Sequence, residues 1–213
     1  MSDLNYSEVL IKLFDKLKNN SKHRYFIALS GPPASGKSTI SEKLVKDLTF
    51  KGYNSSILQM DGYHYDNQIL KQKSLLLKKG APETFDVMGF LNFLSRLQNE
   101  DEVAIPIFDR SLELSRSSAV IISKEIRVII VEGNYLLLKK KPWEKLRNFF
   151  DYTISIKCSL KALEKRLIDR WKSFGIDDEI VNKKVFENDL PNGQFVLDLY
   201  LIHISEPTRR YAI

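Results

Sequence analysis

Gly31-Pro32-Pro33-Ala34-Ser35-Gly36-Lys37-Ser38-Thr39 matches the pattern G-x-x-x-x-G-K-[ST], and the residues on either side decide how it is read. Upstream, Tyr25-Phe26-Ile27-Ala28-Leu29 is a short apolar run of the kind that forms a strand buried on both faces. Downstream, Ile40, Leu44, Val45 and Leu48 recur at helical spacing. Strand, glycine-rich loop and helix in that order open a parallel α/β unit, the context in which this pattern binds phosphate. Gly31 and Gly36 let the backbone turn tightly, so that the amides along Ala34, Ser35 and Gly36 and the helix N-terminus face phosphate oxygens. Lys37 is expected to reach the β- and γ-phosphates, the Ser38 hydroxyl to bind Mg²⁺, and Thr39 to help hold the phosphate end.

The alternation continues along the chain. Residues 55–60 read as a strand, 67–78 as a polar stretch with helical potential, and 87–97 as a helix with Asp86 as its N-cap. Residues 103–108 and 126–131 read as strands, 143–150 as a helix, 152–157 as a strand, and 160–171 and 177–186 as helices. Ahead of them, Leu10, Phe14 and Leu17 mark an amphipathic helix within residues 1–22. Strands alternating with helices imply an α/β fold whose mostly parallel sheet is covered on both faces. With no repeat, low-complexity tract or long linker, residues 1–198 are expected to form one domain.

Composition narrows the classes. A chain of 213 residues is long enough for one well-buried core. The single cysteine, Cys158, excludes an internal disulfide framework and a multi-cysteine zinc site and suits a reducing, cytoplasmic setting. Lys plus Arg (33) exceed Asp plus Glu (27) by 6, but the charge is spread along the length, which suits a phosphorylated ligand better than a nucleic-acid track. No apolar run approaches the roughly 18 residues that span a bilayer, and residues 1–20 lack a signal peptide's pattern, so neither membrane nor nucleic acid is an expected partner. Oligomeric state is not set by the sequence, a homodimer being one option.

Two carboxylates fall where such a fold binds ligands. Ile129-Ile130-Val131-Glu132-Gly133 is a buried-type strand ending in an acid, and Glu132 is placed to hold Mg²⁺ or to orient an acceptor; a solvated strand-end acid is the alternative. Met60-Asp61-Gly62-Tyr63-His64 ends another strand on the same sheet edge. Asp61 there is either a general base for an acceptor hydroxyl or half of a turn-forming Asp-Gly pair.

Together with the phosphate loop and these two blocks, Lys79-Gly80-Ala81-Pro82-Glu83-Thr84-Phe85-Asp86, Ile107-Phe108-Asp109-Arg110-Ser111, the extension Asn134-Tyr135-Leu136-Leu137 and Asn188-Asp189-Leu190-Pro191-Asn192 resemble the phosphoribulokinase/uridine kinase family over residues 24–198. The resemblance is to the branch related to pantothenate kinase and to fructose-transport kinases. It implies a P-loop kinase using ATP and Mg²⁺ to phosphorylate a hydroxyl of a sugar, nucleoside or pantothenate-like metabolite. It also implies Asp61 as base, Glu132 as the acid at the central strand's end, Tyr63 and His64 lining the acceptor pocket, and Arg110 facing the acceptor, where an ion pair with Asp109 or Glu113 is the alternative. Arg166 and Arg170 are four apart on one helix face; the resemblance implies that they are lid arginines that stabilise charge on the transferred phosphoryl group, with solvated surface arginines as the alternative. The acceptor-binding residues of true uridine kinases are not recognisable, so uridine is not implied. A regulatory P-loop protein without an acceptor is the competing class; the guanine-reading Asn-Lys-x-Asp is absent, since Asn182-Lys183-Lys184-Val185 lacks the aspartate.

Residues 199–213 break the pattern. Leu201-Ile202-His203-Ile204-Ser205-Glu206-Pro207-Thr208-Arg209-Arg210 resembles a translated sequencing-library adapter, and a non-native tail joined near residues 198–200 is expected, with a short genuine strand as the alternative.

Overall fold

The structure, a computed structural model, describes residues 5–201 and 210–212. The first helix, α1 (Tyr6–Lys18), starts at a capping box in which the Asn5 side chain accepts from the Glu8 amide and the Glu8 carboxylate accepts from the Asn5 amide. It buries Val9, Leu13 and Leu17. Then come β1 (Tyr25–Ser30), α2 (Lys37–Phe50), β2 (Ser55–Gln59), α3 (Asn67–Gln72), α4 (Val87–Asn99), β3 (Val103–Asp109), β4 (Leu114–Ile122), β5 (Val128–Gly133), β6 (Tyr152–Ser155), α5 (Leu160–Ser173), α6 (Asp178–Lys184) and α7 (Leu190–Leu201), with β7 (Arg210–Ala212) last.

Five strands form one sheet in the order β2-β5-β1-β6-β7, every described pairing parallel. All six residues of both β1 and β5 are buried, as strands covered on both faces require. Side chains alternate across the sheet. Phe26 and Ala28 of β1 and Ile129 and Val131 of β5 pack with Phe90 and Leu94 of α4, while Ile27 and Leu29 pack with Leu13 of α1 and Leu44 and Leu48 of α2. This is the expected P-loop α/β fold, and it brings the C-terminal ends of β1, β2 and β5 to one edge.

Residues 103–108 are a strand, but not of the parallel sheet. β3 pairs antiparallel with β4 in a separate two-stranded hairpin. The four residues linking them cannot carry a parallel crossover. β4 had no apolar signature because six of its nine residues, Arg116 to Ile121, face solvent. Residues 143–149 wind as a 3₁₀ helix. Past α6 the chain takes a π-helical turn at Val185–Asp189 and continues as α7, an element the sequence reading did not anticipate because of Pro191 and Gly193. Pro191 has no amide to give an α-helical bond, and a wide turn just before it absorbs that loss. Gly193 lets α7 approach α5, since a Cβ there would lie 3.3 Å from Leu163.

α7 runs past the expected join, through Leu201, with Val196 buried and Leu199 against the core. Residues 202–209, the greater part of the expected non-native tail, lie outside the described residues. The backbone of Arg210–Ala212 pairs with β6 at the sheet edge.

Candidate active site

A cavity of about 1530 Å³ opens at the sheet's C-terminal edge. Sites for single small ligands commonly span roughly 300–1,000 Å³, so this one has room for two. Pro33, Ala34, Gly36, Lys37, Ser38 and Thr39 line one end. Ala34 (φ +57°) and Gly36 (φ +92°) are both left-handed, which curves the loop into a concave nest of amides above the start of α2. Gly31 and Ser35 do not line the cavity. A Cβ on Gly31 would sit 2.7 Å from Ser35 Oγ and 3.1 Å from Ile156 Cβ, so Gly31 serves the loop's packing.

Lys37 is buried, and its ammonium donates to the Pro32 carbonyl and to Asn134 Oδ1, both at 2.8 Å. Burial lowers its pKa, opposed by the charges of Glu132 and Asp61. Two of its three N–H donors are thus committed and one remains for a ligand. Glu132, also buried, accepts from Ser38 Oγ at 2.8 Å on one oxygen and from Ser41 Oγ at 3.1 Å on the other. It is therefore not a solvated strand-end acid. Holding the Ser38 proton leaves that oxygen's lone pairs for a cation, and the set of hydroxyl and carboxylate oxygens fits a hard ion such as Mg²⁺. Gly133 makes room for a protein neighbour: a Cβ there would lie 2.6 Å from Met60 Cβ.

Asp61 sits in a 3₁₀ turn, Met60–Tyr63, that follows β2. Gly62 lets this turn press on β3, since a Cβ would lie 2.9 Å from the Pro106 carbonyl oxygen. Arg110 Nη2 donates to Asp61 Oδ2 at 2.9 Å, so the arginine pairs with Asp61 and not with Asp109 or Glu113. Asp109 is taken by Arg116. Burial raises the Asp61 pKa, but His64, Arg110, Lys37 and Arg170 together outweigh it, and the carboxyl lies below its usual range. His64 donates from Nδ1 to the Asp61 carbonyl at 3.0 Å and lies against Phe85 and Phe108. Its pKa is lowered, burial being the main cause, which favours the neutral ring.

Tyr63, grouped with His64 by the resemblance, points the other way. It packs on Phe90 and Phe93 in the core, its hydroxyl is buried, and it does not line the cavity. One residue's rotation along the turn separates the two side chains. The arginines also divide. Arg170 lines the cavity, and its pKa is lowered by burial and by Arg110. Arg166, one helical turn back, lies behind the loop with Nη1 3.4 Å from the carbonyl oxygens of Ala34 and Ser35.

The structure adds Asn134, Ser41, Lys79 and Asp189 to the neighbourhood. Ser41 had a readable signal, being one turn from Ser38 on α2. Asp189 lines the cavity and accepts from Trp171 Nε1 at 2.7 Å; burial raises its pKa. It stands in the π turn, a distortion common at functional sites. Asn134 and Lys79 lay inside blocks that the resemblance quoted, with nothing local to say what they touch.

No protein-family model matches the chain. It is 32% identical over 187 residues to the uncharacterized protein YggC of Escherichia coli K12, covering 84% of this chain and 75% of that one. To a pantothenate kinase of Enterococcus faecalis it is 29% identical over 151 residues, 69% of this chain and 49% of that one, so it spans about half that relative's length. Among solved structures, a protein of Silicibacter sp. TM1040, provisionally assigned as a fructose transport system kinase, superposes with a TM-score of 0.87 at 34% identity, covering 92% of this chain and 95% of that one.

Proposed function

Because the chain belongs to the phosphoribulokinase/uridine kinase family of P-loop kinases, we propose that it transfers the γ-phosphoryl group of ATP to a hydroxyl of a small metabolite, in the cavity at the sheet edge. The observation that carries this reading is the convergence on one cavity of a phosphate nest with its lysine and the Asp61 carboxyl group, held by Arg110 at 2.9 Å. A nucleotide switch needs the first and has no use for the second.

In this reading the loop amides and the third Lys37 N–H hold the β- and γ-phosphates. Ser38, its proton held by Glu132, and Glu132 itself would hold Mg²⁺, which supplies charge neutralisation at the phosphates. Asp61 accepts the proton of the acceptor hydroxyl; Arg110 on Oδ2 fixes its orientation and leaves Oδ1 for that proton. Arg170 faces the charge that develops on the transferred group. Arg166 braces the loop from behind through the Ala34 and Ser35 carbonyls. Lys37→Ala is expected to remove about 3 kcal/mol or more of transition-state stabilisation.

The test is an ADP-release screen of the purified chain against sugars, nucleosides, polyols and pantothenate. Release that rises with one acceptor class and is lost in Lys37→Ala supports the reading. ATP hydrolysis indifferent to every acceptor would point to a regulatory NTPase.

A further inference from the structure

Lys79 is placed unusually for a lysine facing a cavity. Its ammonium donates to Asn67 Oδ1 at 2.9 Å and to the Glu113 carbonyl at 2.7 Å, both neutral acceptors. No carboxylate among the described residues forms an ion pair with it. Its pKa is lowered by burial, with Glu113 and Asp66 opposing and Lys184 adding to the shift. Two donors are used and one remains.

The backbone that carries it is fixed from several directions. The Lys79 carbonyl accepts from Asn188 Nδ2 at 2.9 Å, and the Gly80 amide donates to Thr84 Oγ1 at 3.0 Å. The Gly80 carbonyl accepts from the Tyr135 hydroxyl at 2.7 Å, and Gly80 itself has a φ of +104°. The lysine is held in position before any ligand arrives.

Around it stands more positive charge. Lys79 Nζ lies 5.3 Å from the centre of the Phe108 ring, and the Arg110 guanidinium lies 5.7 Å from the same ring. Arg110 also holds Asp61. The guanidinium of Arg170, which lines the same cavity, lies 5.5 Å from the centre of the Trp171 ring and forms no hydrogen bond or ion pair with a side chain among the described residues. A half-buried ammonium whose counter-charges, Glu113 and Asp66, act on it without forming an ion pair gains from a charge that comes with the ligand. A neutral sugar or nucleoside would leave it without a direct charged partner.

Resting on the kinase reading above, we infer that the acceptor is an anion: a hydroxy compound whose carboxylate or phosphate monoester binds between Lys79 and Arg110, over Phe108, while its hydroxyl faces Asp61. The charged end selects the molecule and orients the hydroxyl. The competing role for Lys79 is that it merely ties the Asn67 segment to the β3–β4 hairpin.

The experiment uses the full chain and two matched sets of probes, each with a neutral, a carboxylate and a phosphate member: glycerol, glycerate and glycerol 3-phosphate; glucose, gluconate and glucose 6-phosphate. Turnover is read as ADP release, and binding by calorimetry in the presence of Mg²⁺ and a non-hydrolysable ATP analogue. The anionic members are expected to bind and turn over in preference to their neutral counterpart, and whichever anion is preferred identifies the charged group. Lys79→Met is expected to raise the KM for that anion about 10- to 100-fold, with the KM for ATP unchanged and the melting temperature near that of the parent. Lys79→Arg should recover part of the loss, which a purely structural tie would not require. Preference for the neutral member, no binding of any anionic probe at millimolar concentration, or an unchanged anion KM in Lys79→Met overturns the inference. Anion binding that depends on Lys79 without any turnover would support the anion site and count against the kinase reading instead.

Discussion

Glu132→Gln separates the metal-holding role of this residue from its packing. In the parent, one carboxylate takes the Ser38 hydroxyl proton at 2.8 Å and shares that of Ser41, at 3.1 Å, with the Ser38 carbonyl at 2.9 Å. An amide has one acceptor oxygen and one donor group, so one of the two serines faces a donor where it had an acceptor. Hydrogen bonds to a charged partner contribute about 1.5–3 kcal/mol each, while the neutral amide is cheaper to bury than the carboxylate. These effects oppose each other, and the melting temperature should fall only modestly, by the equivalent of about 1–2 kcal/mol. Function should suffer more. The Ser38 hydroxyl loses the acceptor that orients it, and Lys37 loses the largest of the charges that counter its burial. The assay needs no acceptor: affinity for a fluorescent ATP analogue is measured with and without Mg²⁺. The parent should bind more tightly with the metal, and the gain should shrink by about tenfold or more in Glu132→Gln, as loss of one such hydrogen bond implies. An undiminished gain in a folded variant would refute the assignment of Glu132 and Ser38 to the metal.

Asp61→Asn should lower turnover by about 10² to 10⁴ with little change in ATP affinity, because the base acts on the acceptor's proton; an unchanged rate removes Asp61 from that role. Arg110→Ala removes a cation that holds the Asp61 pKa down, so the pKa should rise and the acid limb of the kcat/KM profile should move to higher pH; a limb that stays put or moves lower contradicts the pairing. A chain stopped after Leu201 should melt within a few degrees of the full chain, because α7 is retained and what is lost from the described sheet is three residues at its edge; a large drop in melting temperature would show that residues 202–213 belong to the fold.

What was readable in the sequence was set by local chemistry. β1, the loop and α2 announce themselves because apolar runs, left-handed glycine and helical spacing are properties of neighbouring residues. Glu132 and Asp61 were legible because strand ends in a parallel sheet share one edge. The partners across space were not. That Arg110 reaches Asp61, 49 positions away, depends on how the β3–β4 hairpin docks on the 3₁₀ turn, and β4 itself carried no apolar pattern. The opposite directions of Tyr63 and His64 turn on the rotation of one residue, and the different surroundings of Arg166 and Arg170 on one helical turn of advance along α5. A motif block cannot resolve that. α7 was hidden by a proline and a glycine whose cost is met by a π turn before them and a close helix contact beside them.

The most direct test of the central claim is ³¹P NMR of ATP and Mg²⁺ incubated with the protein and a mixture of hydroxy acids, sugar phosphates and neutral polyols. Phosphoryl transfer predicts that ADP and a new phosphomonoester resonance grow together in equal amounts, and that both vanish in Asp61→Asn. ADP accompanied only by inorganic phosphate, at a rate the Asp61 variant shares, would contradict it.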